Sequence, residues 1–88
     1  MRKAVVVRMI SARGCERCDE VEDRLIAAAK KADVKLALIK LDSTTPEAVT
    51  MGVSFGLDDV PSFVISGKAF CGTGFSDDDL VQEMKKAH

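Results

Sequence analysis

Cys15 and Cys18 are separated by two residues and stand where a valine-rich run gives way to a helical pattern. That junction limits the possible folds more than any other feature of the chain. Ala4–Ile10 is nearly continuous in apolar character and closes on Ser11-Ala12-Arg13-Gly14, which predicts a strand buried on both faces. Glu16–Ala32 sets Val21, Leu25, Ala28, Ala29 and Ala32 at spacings of three and four, the stripe of an amphipathic helix. Glu16, Asp19 and Glu20 crowd its start and Lys30 and Lys31 its end, the order the helix dipole favours. Glu20 and Arg24 are four apart and placed to pair.

Val34–Leu41 reads as a second buried strand, so the first half of the chain is a strand–helix–strand unit with a right-handed parallel crossover. Thr45 caps a second helix with Pro46 at its first position, and Gly52 and Gly56 predict that it is short. Pro61 opens a third strand, Ser62–Ile65. The turn Ser66-Gly67-Lys68 is too tight for a parallel return, so Ala69–Gly72 must run antiparallel to it. Ser76 and Asp77–Asp79 form a helix start, with Ser76 as cap and Asp79 completing a capping box. That helix runs to about Ala87 on Leu80, Val81 and Met84. The order βαβαββα predicts an α/β fold: a mixed four-stranded sheet flanked by helices. With 88 residues the chain is expected to form one domain, 1–88. Phe55, Phe63, Phe70 and Phe75 are read as core, with Phe75 alternatively bordering a substrate groove.

Thirteen basic and fourteen acidic residues leave a formal net charge of −1, against the basic face of a nucleic-acid binder. No apolar run approaches a membrane span. Met1-Arg2-Lys3 before the valines has the charge of a secretory leader, but Arg8 interrupts the apolar stretch and no cleavage pattern follows. A cytoplasmic monomer is the expectation. Three cysteines, an odd number, do not make a disulfide framework. Cys71 is expected in the core as a small hydrophobe, the alternative being a regulatory thiol near the active face. His88 is terminal and a poor catalytic base.

The chemistry therefore rests on the C-x-x-C. A cysteine at a helix start meets unpaired N–H groups and the positive end of the dipole, and both favour thiolate over thiol. Cys18, one turn on, shares its face and can close a disulfide. Exchange is the natural reaction: Cys15 attacks a substrate disulfide and Cys18 resolves the mixed disulfide. Arg17 favours the thiolate while Glu16, Asp19 and Glu20 oppose it, so a moderately lowered Cys15 pKa is expected. A metal site needs more ligands than the sequence groups here, and none is expected.

These residues, with Val60-Pro61 before the third strand and Gly72 and Gly74 before the last helix, resemble the thioredoxin-like superfamily over nearly the whole chain. Phe55-Gly56-Leu57-Asp58-Asp59-Val60-Pro61 is similar to the thioredoxin segment that leads into a cis proline. The resemblance implies that Pro61 is cis and faces the cysteines, and that Val60 offers backbone groups to an extended peptide or to glutathione. The short first segment and Gly14-Cys15-x-x-Cys18-Asp19-Glu20 look more like small glutaredoxin-like proteins. Gly74-Phe75-Ser76-Asp77 resembles the Gly-x-x-Asp with which glutaredoxins hold the γ-glutamyl end of glutathione. The chain departs from both patterns: no proline stands between the cysteines, Gly14 replaces the thioredoxin tryptophan, Met9 replaces its buried aspartate, and Ala12 falls where glutaredoxins often carry lysine.

The resulting expectation is a thiol–disulfide oxidoreductase with Cys15 and Cys18 as catalytic residues. Gly14, Arg17, Val60, Pro61, Gly74 and Asp77 are the expected substrate-binding set. No tightly bound cofactor is expected, with glutathione a possible co-substrate. The partners would be proteins carrying disulfides, with glutathione or a thioredoxin reductase as electron donor. The rival readings are a module whose cysteine pair holds a metal or cluster, and a non-catalytic adaptor that binds through the groove beside Pro61.

Overall fold

The computed structural model describes residues 4–57, 60–72 and 74–87. The leader-like Met1–Lys3, Asp58 and Asp59 of the proline-loop motif, and His88 lie outside them. Seven elements follow in the expected order: β1 (Ala4–Ser11), α1 (Glu16–Ala32), β2 (Lys35–Asp42), α2 (Pro46–Phe55), β3 (Ser62–Ile65), β4 (Lys68–Cys71) and α3 (Asp77–Lys86). The sheet order is β2-β1-β3-β4, with β1 and β2 parallel and the other pairs antiparallel.

Alternation along the strands divides the core in two. Val5, Val7 and Met9 of β1, with Phe63 and Ile65 of β3, face Val21, Leu25, Ala28 and Ala29 of α1 and Leu80 and Met84 of α3. Ile10 and Val64 point the other way, onto Ala48 and Met51 of α2. Each fully buried aliphatic side chain contributes about 1.5–3 kcal/mol through removal from water. Phe63 lies at the centre of an aromatic cluster, stacked on Phe70 at 4.9 Å and edge-on to Phe75 at 5.1 Å.

Local chemistry sets the ends of the helices. Thr45 Oγ1 accepts from the Ala48 N–H at 3.3 Å, and Pro46 follows it. The capping box of α3 is present: Ser76 Oγ accepts from the Asp79 N–H, and the Ser76 N–H donates to Asp79 Oδ2. Asp33, left-handed at φ 55, ends α1.

Four expectations need correction. β1 is not buried on both faces: Val6 and Arg8 are exposed, because α2 covers the sheet only around Ile10, Leu41 and Val64. β2 has no fully buried residue, since it is an edge strand paired only with β1. Gly52 does not shorten α2, although Gly56, left-handed at φ 68, ends it as expected. The helix passes through Gly52 to Phe55, and the Leu57 N–H returns to the Gly52 carbonyl at 2.8 Å. A Cβ on residue 52 would lie 3.2 Å from the Leu57 carbonyl oxygen, a tight approach that glycine avoids. Phe55, at the end of that helix, is exposed rather than core.

Candidate active site

β1 ends at Ser11, and the chain turns through Gly14 at φ +69, a left-handed conformation open to glycine at little cost. The turn delivers Cys15 to the N-cap of α1. Its Sγ accepts from the Cys18 N–H at 3.1 Å, so one of the helix's unpaired donors points at the sulfur. Cys15 and Cys18 form a disulfide, with Cα atoms 5.3 Å apart. The two sulfurs differ in setting. Cys15 is half-buried, whereas Cys18 is 4% exposed and belongs to the core beneath α1. Cys15 is the more accessible of the two sulfurs.

Arg17, in the first turn of α1, reaches the residue before Pro61: its Nη2 donates to the Val60 carbonyl at 3.0 Å. The Val60–Pro61 peptide is cis. The Pro61 carbonyl accepts from the Gly72 N–H at 2.7 Å, which ties this loop to the end of β4. Of the expected binding residues, Gly14 lines the cavity at the pair, and Arg17 connects the start of α1 to Val60, the residue before Pro61. Gly74 is exposed, and an added Cβ there would meet no atom within 4 Å, so internal packing does not require glycine.

Asp77 sits at the start of α3 and is already engaged. Arg24 Nε donates to its Oδ1 at 2.8 Å, and Arg24 Nη2 donates to the Phe75 carbonyl at 2.9 Å. The guanidinium carbon also lies 4.3 Å from the centre of the Phe75 ring. The expected Glu20–Arg24 pair is thus replaced by a clamp between α1 and α3. Arg24 gains three contacts there, where Glu20 offers one solvated carboxylate.

Cys71 is exposed, not buried as expected, because it ends β4, the outer strand of the sheet. Ser62 Oγ donates to its Sγ at 3.6 Å. Among the described residues no group of three or more His, Cys, Asp or Glu is placed to hold a metal, and no helix is long and apolar enough to cross a membrane.

A polar cavity of about 370 Å³ opens beside the disulfide, lined by both cysteines, Glu16, Asp19 and Lys40 among others. Lys40 Nζ pairs with Glu22 Oε2 at 2.8 Å. The hydrogen bond to Glu22, then the charges of Glu22 and Asp19, raise the Lys40 pKa above its ordinary value. Sequence reading passed over Lys40 and Glu22. The sequence carried one signal, Glu22 four residues after Cys18 on the same helix; the register that sets Lys40 beside Met9 comes only with the assembled sheet.

Helices on both faces of a β2-β1-β3-β4 sheet, with the cysteine pair at the first helix start and a cis proline opening β3, make this the thioredoxin fold. Solved thioredoxins overlay nearly all of the chain. The germline-specific thioredoxin Deadhead of Drosophila melanogaster is 24% identical with a TM-score of 0.63, covering 96% of this chain and 81% of its own. Thioredoxin 1 of Thermosipho africanus is 16% identical with a TM-score of 0.57, covering 92% and 91%. Thioredoxin f2 of Chlamydomonas reinhardtii is 15% identical with a TM-score of 0.59, covering 98% and 81%. At these identities the likeness establishes the fold. Neither a protein-family model nor a curated protein matches the sequence.

Proposed function

We propose that the protein is a thiol–disulfide oxidoreductase that reduces disulfides in other proteins. The observation that carries this reading is the Cys15–Cys18 disulfide at the α1 N-terminus, with one sulfur accessible and the other buried. In the reduced protein the Cys15 thiolate accepts the Cys18 N–H and is favoured by the helix terminus. It attacks one sulfur of a substrate disulfide and the other sulfur leaves as a thiolate. Cys18, deprotonated, then attacks Cys15, which reforms the internal disulfide and releases the second substrate thiol. Two electrons pass from the pair to the substrate.

Val60 and Pro61 would hold the substrate chain beside Cys15, with the Arg17 guanidinium at the edge of the groove. The mixed charges around the helix start give the reduced thiolate only moderate stabilisation, which favours electron donation over oxidation of substrates. Protein disulfides are preferred to glutathione in this reading. What supports the preference is that Asp77, the residue that would take a γ-glutamyl amine, is paired with Arg24.

The test is reduction of a protein disulfide, driven either by glutathione with its reductase or by a thioredoxin reductase. The expected result is turnover with the second donor, abolished in Cys15→Ser. Stoichiometric zinc or iron in protein purified without chelator, with no turnover from either donor, would replace this reading with a metal-holding module.

A further inference from the structure

This inference rests on the thiol–disulfide reading and concerns how the second cysteine loses its proton. Cys18 is buried in the main core, and burial disfavours a thiolate. The resolving step nevertheless requires Cys18 as thiolate. The polar cavity beside the disulfide reaches it, and three charged residues stand in the wall: Glu16, Asp19 and Lys40. The two carboxylates oppose a thiolate. Lys40 is the cation there, and it is held in place. Its Nζ is bonded to Glu22, which lies one turn past Cys18 on α1, while its strand position pairs with the buried Met9 of β1.

We propose that Lys40, anchored by Glu22, is the positioning residue that allows Cys18 to ionise during resolution. With the substrate bound to Cys15, the Cys18 thiol gives its proton to water in the cavity while the ammonium offsets the new charge. The thiolate attacks Cys15 Sγ, the bond from Cys15 to the substrate sulfur breaks, and that sulfur leaves as a thiolate. Lys40 is protonated through the range in which thiols titrate, and its bond to Glu22 favours the charged form further. Other charges on the surrounding elements are directed elsewhere. Arg17 is bonded to the Val60 carbonyl, Arg24 and Asp77 to each other, and Asp42 to Thr44. Glu20 and Asp23 open on the α1–α3 side, and Arg13 does not line the cavity.

The test measures the pH midpoint of Cys18 alkylation in the reduced Cys15→Ser protein, read by peptide-resolved mass spectrometry so that Cys71 is counted separately. Lys40→Met is expected to raise the midpoint by about one pH unit, which is a tenfold loss of thiolate below it. Asp19→Asn is expected to lower it, and Lys40→Arg to keep it near the parent value. With Cys15 and Cys18 both present, Lys40→Met should lengthen the life of the mixed disulfide roughly tenfold near pH 7. An unmoved midpoint in Lys40→Met overturns the assignment, as does a shift of the same sign in Lys40→Met and Asp19→Asn. Lys40→Gln serves as a second neutral variant should the methionine disturb folding. If the parent protein reduces no disulfide, the redox reading fails while the midpoint still decides the role of Lys40.

Discussion

Gly14 carries a left-handed backbone immediately before the cysteine that caps α1, with open space where a side chain would stand. Conformation, not room, is what requires glycine there. Gly14→Ala is expected to cost roughly 1–2 kcal/mol in urea unfolding, because Cβ strains a left-handed residue. It should slow disulfide reduction as well, by turning Cys15 off the helix axis. Gly74→Ala, in open space and without a positive φ, should leave stability within about 0.5 kcal/mol. Equal losses in the two variants would contradict the conformational argument. At this scale the sequence made Cys15, Cys18 and the capping residues legible, since each acts through near neighbours in the chain. Cys71 was misread because its burial depends on which strand lies at the sheet edge. Lys40 was overlooked because only the parallel register brings it to the cysteine cavity.

The elements were legible to within a residue or so at their ends, because helix starts and tight turns are written locally. Thr45-Pro46 and Ser76 with Asp79 begin their helices as the side chains dictate. Ser76→Ala removes one half of the capping box and should cost about 1 kcal/mol, measured by chemical denaturation. An unchanged midpoint would mean that the aspartates alone hold the start of α3. After β2, Asp42 ends the strand and accepts from both the hydroxyl and the N–H of Thr44, at 2.7 Å and 2.9 Å. The hydroxyl bond first, then the backbone bond, lower the Asp42 pKa below its ordinary 3.8. A lowered carboxylate stabilises the fold above its unfolded value, and that contribution is lost as pH falls through the lower, folded one. Thr44→Val should therefore move the Asp42 carboxyl titration upward, followed by NMR, and an unmoved titration would remove the hydroxyl from the account. The burial of the strands was harder to read. Apolar runs mark β1 and β2 as strands, yet they do not say that β2 is an edge or that α2 covers only one end of the second face.

For the whole molecule, the split core explains how so short a chain positions the cysteine pair. α1 and α3 pack together on one face and fix the helix that carries the cysteines. The Arg24–Asp77 bond and its contact with Phe75 add a polar clamp to that packing. α2 on the other face supports Val60 and, through it, the proline loop. The chain order βαβαββα was legible because each strand–helix alternation leaves few topologies, and the solved thioredoxins share that architecture at low identity. The Arg17–Val60 contact spans 43 residues and joins the first turn of α1 to the residue before Pro61, which no local pattern connects. Only the assembled fold reveals it.

Trapping with Cys18→Ser tests the central claim most directly. Without its resolving partner, Cys15 should hold a substrate protein as a mixed disulfide, and mass spectrometry of the reduced variant mixed with a disulfide-bearing protein should find the bond at Cys15. The accessible Cys71 is an internal control in the same chain. An adduct on Cys15 that Cys15→Ser abolishes is the predicted result. No adduct, or one on Cys71 alone, would contradict dithiol exchange through the α1 terminus.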